Sequence, residues 1–318
     1  MLKHRKIAII GAGYVGASIC YALMLKEIAQ EIVLIDINQE KACGEVWDIM
    51  HGIPYMGTAK ISQGDYSECK DCDMIIITAG KNRKPGQKRS DLIVENAGIL
   101  KQISDEVKKY YNGGVFLIVA NPVDCLTYYF AKWMGIENSK VMGTGCILDT
   151  SRFVSLLAEY VGLSIDNIQA TIMGEHGDAQ YPIWSRVTVA NIPVEEYCKV
   201  VGLKWDEDVK KDLVQRVNAM GAEIIKRKEK THYGIATCVA YLADAVINNR
   251  VMVASVSSVL QGEYGIEDVA LSVPTVIGQD GIKMRLEEAW NEEEIAFLKY
   301  SGEKLKELRK SIEGEGQI

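Results

Sequence analysis

The chain has 318 residues, 48% hydrophobic and 25% charged, proportions that exclude disordered, collagen-like and coiled-coil chains and leave a soluble globular protein of one large domain or two ordinary ones. Thirty-six basic against 43 acidic residues give a net charge of −7, which removes the electrostatic attraction on which non-specific binding to nucleic acid or an anionic membrane depends. Ile- and Val-rich runs at 7–10, 32–35, 74–78 and 115–119 lack the alternation of a half-exposed strand, and so predict parallel strands covered on both faces. Between them, 14–26, 39–50 and 91–111 carry helical spacing. After Asn121-Pro122 the pattern changes. Helices are expected at 148–160, 207–227 and 292–311, strands at 168–173 and 184–189, and an antiparallel pair at 251–260 and 269–277 that turns near Gly262–Gly265.

Eight cysteines are too sparse for a disulfide scaffold and suit a reduced, cytoplasmic setting. Cys69 and Cys72 form a CxxC with no second pair, so no metal site is expected. The amino-terminal apolar run is too short for a signal peptide, and no window is long enough to span a membrane.

Gly11-Ala12-Gly13-Tyr14-Val15-Gly16 follows the first strand and opens the first helix. In that context Gly11 permits the tight turn, Gly13 lets a pyrophosphate approach the positive end of the helix, and Gly16 allows close packing on the sheet. Asp36 ends the second strand about 20 residues later, where a carboxylate accepts hydrogen bonds from ribose hydroxyls and repels a 2'-phosphate, which favours NAD over NADP. The chain is therefore expected to be α/β, with a Rossmann doubly wound parallel sheet over 1–145 followed by a mixed α+β substrate domain over 146–318.

The loop from Gly80 to Arg89 concentrates Lys81, Arg83, Lys84, Lys88 and Arg89 in a net acidic chain. It reads either as a solvated loop or as a lid that closes on an anionic ligand. His176, one of four histidines, sits in Gly174-Glu175-His176-Gly177-Asp178, where flanking glycines admit a ligand. A lone histidine is more often structural. A carboxylate such as Asp149 would change that, by fixing one ring nitrogen and leaving the other to exchange a proton. Arg152, three residues on, shares the helical face of Asp149 and can grip a carboxylate with two parallel hydrogen bonds.

Together with Asn121-Pro122-Val123-Asp124, these motifs resemble, in order and over essentially the whole chain, the NAD-dependent L-lactate dehydrogenases and the lactate-dehydrogenase-like malate dehydrogenases. The resemblance implies NAD as cofactor, held by the Gly11 to Gly16 turn with Val15, by Asp36 and by Ile235. It implies His176 as proton donor and acceptor, Asp149 as its partner, and Arg89 as the lid arginine that polarises the reacting carbonyl. Arg152 would bind the substrate carboxylate, Asn121 the substrate oxygen, and Thr231 would line the pocket. Arg83 has the identity typical of malate dehydrogenases, so malate is the expected substrate, with lactate the alternative and a non-catalytic NAD-binding protein a remote one. Val154 and Gln169 stand where enzymes activated by fructose 1,6-bisphosphate carry basic residues, so that effector site is expected to be missing. A small anionic 2-hydroxy or 2-oxo acid as partner, and a homo-oligomer, tetramer or dimer, follow from the resemblance alone.

Overall fold

Strand and helix alternate through the first half of the chain in the computed structural model, which describes residues 5–81 and 89–314. In order these are β1 (Lys6–Ile10), α1 (Tyr14–Leu25), β2 (Glu31–Ile35), α2 (Gln39–Met50), the single-turn α3 (Ile53–Met56), β3 (Lys60–Gly64), β4 (Met74–Ile77), α4 (Arg89–Val107), β5 (Val115–Ile118), α5 (Val123–Met134) and β6 (Val141–Gly143). The strands pair in parallel in the order β3-β2-β1-β4-β5-β6. This is the doubly wound arrangement, whose ligands bind beyond the carboxyl ends of the strands where the order reverses. Every residue of β4 and β5 is buried, because helices cover both faces and leave no side of the strand for water.

The second half comprises α6 (Ile147–Val161), β7 (Ile168–Gln169), β8 (Ile172–Gly174), β9 (Gln180–Pro182), β10 (Thr188–Val189), β11 (Ile192–Pro193), α7 (Val194–Val201), α8 (Glu207–Lys228), α9 (Tyr233–Ile247), β12 (Met252–Gln261), β13 (Glu267–Gly278), β14 (Gly281–Arg285) and α10 (Glu292–Gly314). The long β12 and β13 form the expected antiparallel pair, and β12 meets β6 at Ser257 and Gly143. The parallel and antiparallel parts thus share one sheet, while β7, β10 and β11 form a small second one. The core on one face of the parallel strands draws on α1, α2 and α9, through residues such as Ile19, Val46 and Val246. The opposite face is covered by α4 and α5, through Leu100, Leu126 and Phe130. Among the described residues no helix is long and apolar enough to cross a membrane.

Some expected elements differ. The strand expected at 184–189 is a tight turn at Trp184–Arg186 followed by the short β10. Its backbone is diverted from a ladder by Glu294, whose carboxylate accepts from both the N–H and the hydroxyl of Ser185 at 2.8 Å. The expected 168–173 strand divides into β7 and β8, and the two join different sheets. Cys69 and Cys72 are both buried, and burial pushes each thiol up to about 12, so neither supplies a thiolate at neutral pH.

Candidate active site

The glycine turn fits a dinucleotide for steric reasons. Gly11 has φ +108°, and a side-chain carbon there would lie 2.6 Å from Thr78 Oγ1. On Gly16 it would fall 1.9 Å from the carbonyl oxygen of Gly11, so the turn closes over the start of α1 only with glycine at both places. Gly13 is different: nothing lies within 4 Å of where its side chain would project. That open space, beside the exposed N–H groups of the α1 amino terminus, is what a pyrophosphate needs. Asp36 Oδ2 accepts the Ala12 N–H at 2.7 Å and Oδ1 the Asn38 N–H at 2.8 Å, which anchors the carboxylate at the edge of the turn with lone pairs left for ribose hydroxyls. Val15, in the first turn of α1, packs against the core with Ile235 of α9.

His176 follows β8 and Asp149 lies in the first turn of α6, far apart in sequence but 2.5 Å apart between Nδ1 and Oδ2. The carboxylate can only accept, so Nδ1 carries the proton of this bond and Nε2 is the nitrogen able to exchange one. Asp149 is almost fully buried, whereas the His176 side chain retains 24% of its exposure, which is the arrangement of an inner orienting acid and an outer reactive base. The other oxygen of Asp149 accepts from Arg152 Nη1 at 2.9 Å. Burial alone would raise the Asp149 carboxyl, but His176 and Arg152 hold it below the usual carboxylate range. Burial opposes charging of His176, yet Asp149, helped by Asp124 and opposed by Arg152, raises its pKa above the ordinary value.

Other expected site residues approach from separate elements. Asn121, joined to Pro122 by a cis peptide bond, is held from behind by a residue that sequence reading missed. Asn96 of α4 is 1% exposed; its amide donates to the carbonyl of Asn121 at 2.6 Å and to that of Lys81 at 3.0 Å, and it accepts from the N–H of Lys81 at 2.7 Å. One buried amide therefore ties the Asn121 turn to the start of the basic loop. Thr231 precedes the first turn of α9, where the side chain of Ser18 on α1 bonds His232 at 2.8 Å and Gly234 faces Leu148, the neighbour of Asp149. Thr231 and Ile235 thus lie at the junction of α1 and α6. Arg83 lies outside the described residues, and Arg89 opens α4. Asp124 was also missed as a functional residue, although its motif was visible; its carboxylate accepts from the backbone N–H of His176 at 2.7 Å.

Two family models match the chain: lactate/malate dehydrogenase, NAD binding domain, over residues 5–143, and lactate/malate dehydrogenase, alpha/beta C-terminal domain, over 146–315. The chain is 42% identical to the L-lactate dehydrogenase of Acetivibrio thermocellus over 97% of its own length and 98% of the relative's. It is 40% identical to L-lactate dehydrogenase 1 of Clostridium acetobutylicum, over 98% and 100%. The crystal structure of the minor L-lactate dehydrogenase from Enterococcus mundtii superposes with a TM-score of 0.93 at 38% identity, covering 98% of this chain and 99% of that one. These relatives overturn the expectation, drawn from Arg83, that malate is the preferred substrate. That inference rested on the identity of one residue in a loop that holds five cations between Gly80 and Arg89, and one cation among five is a weak guide to which of them a substrate meets. Matched along both halves, the chain belongs to the lactate/malate dehydrogenase family, NAD-dependent oxidoreductases of small 2-hydroxy acids.

Proposed function

We propose that the protein is an L-lactate dehydrogenase that interconverts L-lactate and pyruvate. The observation that carries this reading is the His176–Asp149–Arg152 cluster, in which a proton-exchanging base and a carboxylate-binding cation share one buried acid; the L-lactate dehydrogenases among its relatives supply the substrate. The Gly11–Gly16 turn, Asp36, Val15 and Ile235 would hold NAD, which would act as the hydride acceptor in one direction and, reduced, as the donor in the other. In pyruvate reduction, His176 gives the proton on Nε2 to the substrate oxygen. Nδ1 keeps its own proton in the bond to Asp149, whose charge stabilises the imidazolium before that transfer. In lactate oxidation the neutral ring takes the hydroxyl proton, and the same carboxylate stabilises the cation that forms.

Arg152 remains partly accessible, at 14% exposure. With one nitrogen fixed by Asp149, its guanidinium plane is pre-oriented to receive the substrate carboxylate. Asn121 and Arg89 are assigned to the reacting oxygen and Thr231 to the pocket wall, on the family resemblance. The division near residue 145, a cytoplasmic setting and a homo-oligomer belong to the same proposal; exposed Trp47 and Tyr21 on α2 and α1 support the last. The test is NADH oxidation by the purified protein, with pyruvate and oxaloacetate compared at equal pH, salt and cofactor. A higher kcat/KM for pyruvate is expected. A higher value for oxaloacetate would overturn the substrate assignment while leaving the family intact.

A further inference from the structure

Asp124 stands in the first turn of α5 and is 2% exposed. Its Oδ2 accepts from the backbone N–H of His176 at 2.7 Å, and its Oδ1 accepts from the hydroxyl of Ser257 at 2.6 Å. Ser257 is fully buried on β12, at the residue where β12 pairs with β6. Asp124 is also three residues from Asn121. One side chain thus joins the turn assigned to the substrate oxygen, the segment that carries the imidazole, and the seam between the parallel and antiparallel parts of the sheet.

We propose that Asp124 is a positioning residue for proton transfer, fixing the main chain of His176 against the Asn121 turn and placing a second carboxylate charge near the imidazole. This rests on the reading of His176 as the proton relay. A neutral acceptor can also hold the His176 N–H, more weakly than a carboxylate does, so the bond by itself does not require the charge. The carboxylate accepts from the backbone of the residue that carries the ring, so its charge lies where the site alternates between imidazole and imidazolium and favours the protonated ring. Among the described residues, the charged groups that act on the ring are Asp149 and Arg152 from α6 and Asp124 from α5. Cys238 of α9 and Cys146 beside α6 are held as neutral thiols by burial. Asp149 orients the ring through its edge and Arg152 opposes its charging, so Asp124 offsets the arginine without competing for a ring nitrogen.

The test is the pH profile of kcat/KM for pyruvate at saturating NADH, in wild type, Asp124→Asn, Asp124→Ala and His176→Asn, with NADH affinity read separately by fluorescence titration. The Asn variant can keep both hydrogen bonds, its carbonyl facing His176 and its amide facing Ser257. It is expected to retain its acid-side rate within about threefold while the fall at higher pH moves down by about half a unit or more. The Ala variant, which lets the His176 segment move, is expected to lose about 100-fold with NADH affinity unchanged. A role in folding alone would leave the Asn profile where wild type has it, and that result overturns the proposal. If His176→Asn turns over pyruvate at the wild-type rate, the proton-relay reading falls and this inference with it; if it is inactive while Asp124→Asn keeps the wild-type profile, only the inference falls. Should Asp124→Asn fail to bind NADH, Ser257→Ala tests the same tether by freeing only Oδ1. A drop of threefold or more in kcat/KM is then expected, and an unchanged value overturns the proposal.

Discussion

The bond between His176 and Asp149 decides the direction of the pH dependence. The carboxylate raises the imidazole pKa against the opposing effects of burial and Arg152, so the protonated form persists above the ordinary histidine value of about 6.5. On the proposed function, pyruvate reduction uses the protonated ring. Its kcat/KM is therefore expected to be flat on the acid side and to fall tenfold per unit above the His176 pKa, while lactate oxidation rises through the same pKa. Two profiles of the same sign would remove His176 from the proton transfer. His176→Asn is expected to lower kcat/KM by about a thousandfold, within the range for loss of a general acid, with NADH binding measured by fluorescence left intact. Arg152→Lys keeps the charge but cannot hold Asp149 and a substrate carboxylate in one rigid plane. It should raise the KM for pyruvate at least tenfold, again with NADH affinity unchanged; an unaltered KM would mean that the guanidinium only supports Asp149. These side chains were legible in the sequence because each is a rare type in an unusual setting: a histidine between glycines, and an Asp and Arg one helical turn apart. Asn96 was not, since a buried polar side chain that bonds backbone groups leaves no signature of spacing or composition, and Asp124 was visible only as part of its motif, because its partners, the His176 backbone and Ser257, are distant in sequence.

At the scale of the element, the turn between β1 and α1 separates two uses of glycine that the sequence alone shows as one motif. Gly16 lies against the carbonyl of Gly11, and Gly11 against Thr78 and Ala79, so both positions are governed by packing. Gly13 faces open space with φ −80°, so its small size serves what enters that space. Gly16→Ala is accordingly expected to lower stability by about 1–3 kcal/mol, seen as a lower thermal midpoint, and to weaken NADH binding through the distorted turn. Gly13→Ala should leave the thermal midpoint within error while weakening NADH binding; a loss of stability equal to that of the Gly16 variant would show that Gly13 also packs the turn. The alternation of strand and helix in the first half was readable because each strand is a short, wholly apolar run between helices with polar faces. Helices α5 and α9 were not expected for the opposite reason. Residues Val123 to Ala131 are all buried, and α9 carries Asp244 as its one charged residue, so neither shows the charged outer face by which α8 and α10 are read. The strand expected around Trp184 failed because a side chain distant in sequence, Glu294, takes its backbone donor.

For the whole molecule, the question is whether the two halves behave as one folding unit. Their sheets are continuous across β6 and β12, but that junction alone is a narrow link. The shared core links them more firmly. One apolar cluster combines Ile7, Ile9 and Leu23 of the first half with Val239, Val246, Val256 and Ile277 of the second, so α9 packs against α1 and completes the domain it follows in sequence. Removing either half would expose this surface to water at about 25 cal/mol per Å², a cost that couples their unfolding. The protein is therefore expected to melt in one transition. NADH, although held mainly by the first half, should raise that transition as a whole: at 100 times its dissociation constant it adds about 2.7 kcal/mol, or about 5 °C for a chain of this size. Differential scanning calorimetry with and without NADH checks this. Two transitions, with only the earlier one shifted by NADH, would mean that the cluster around α9 does not bind the halves together and that the substrate part of the site is organised independently of the cofactor.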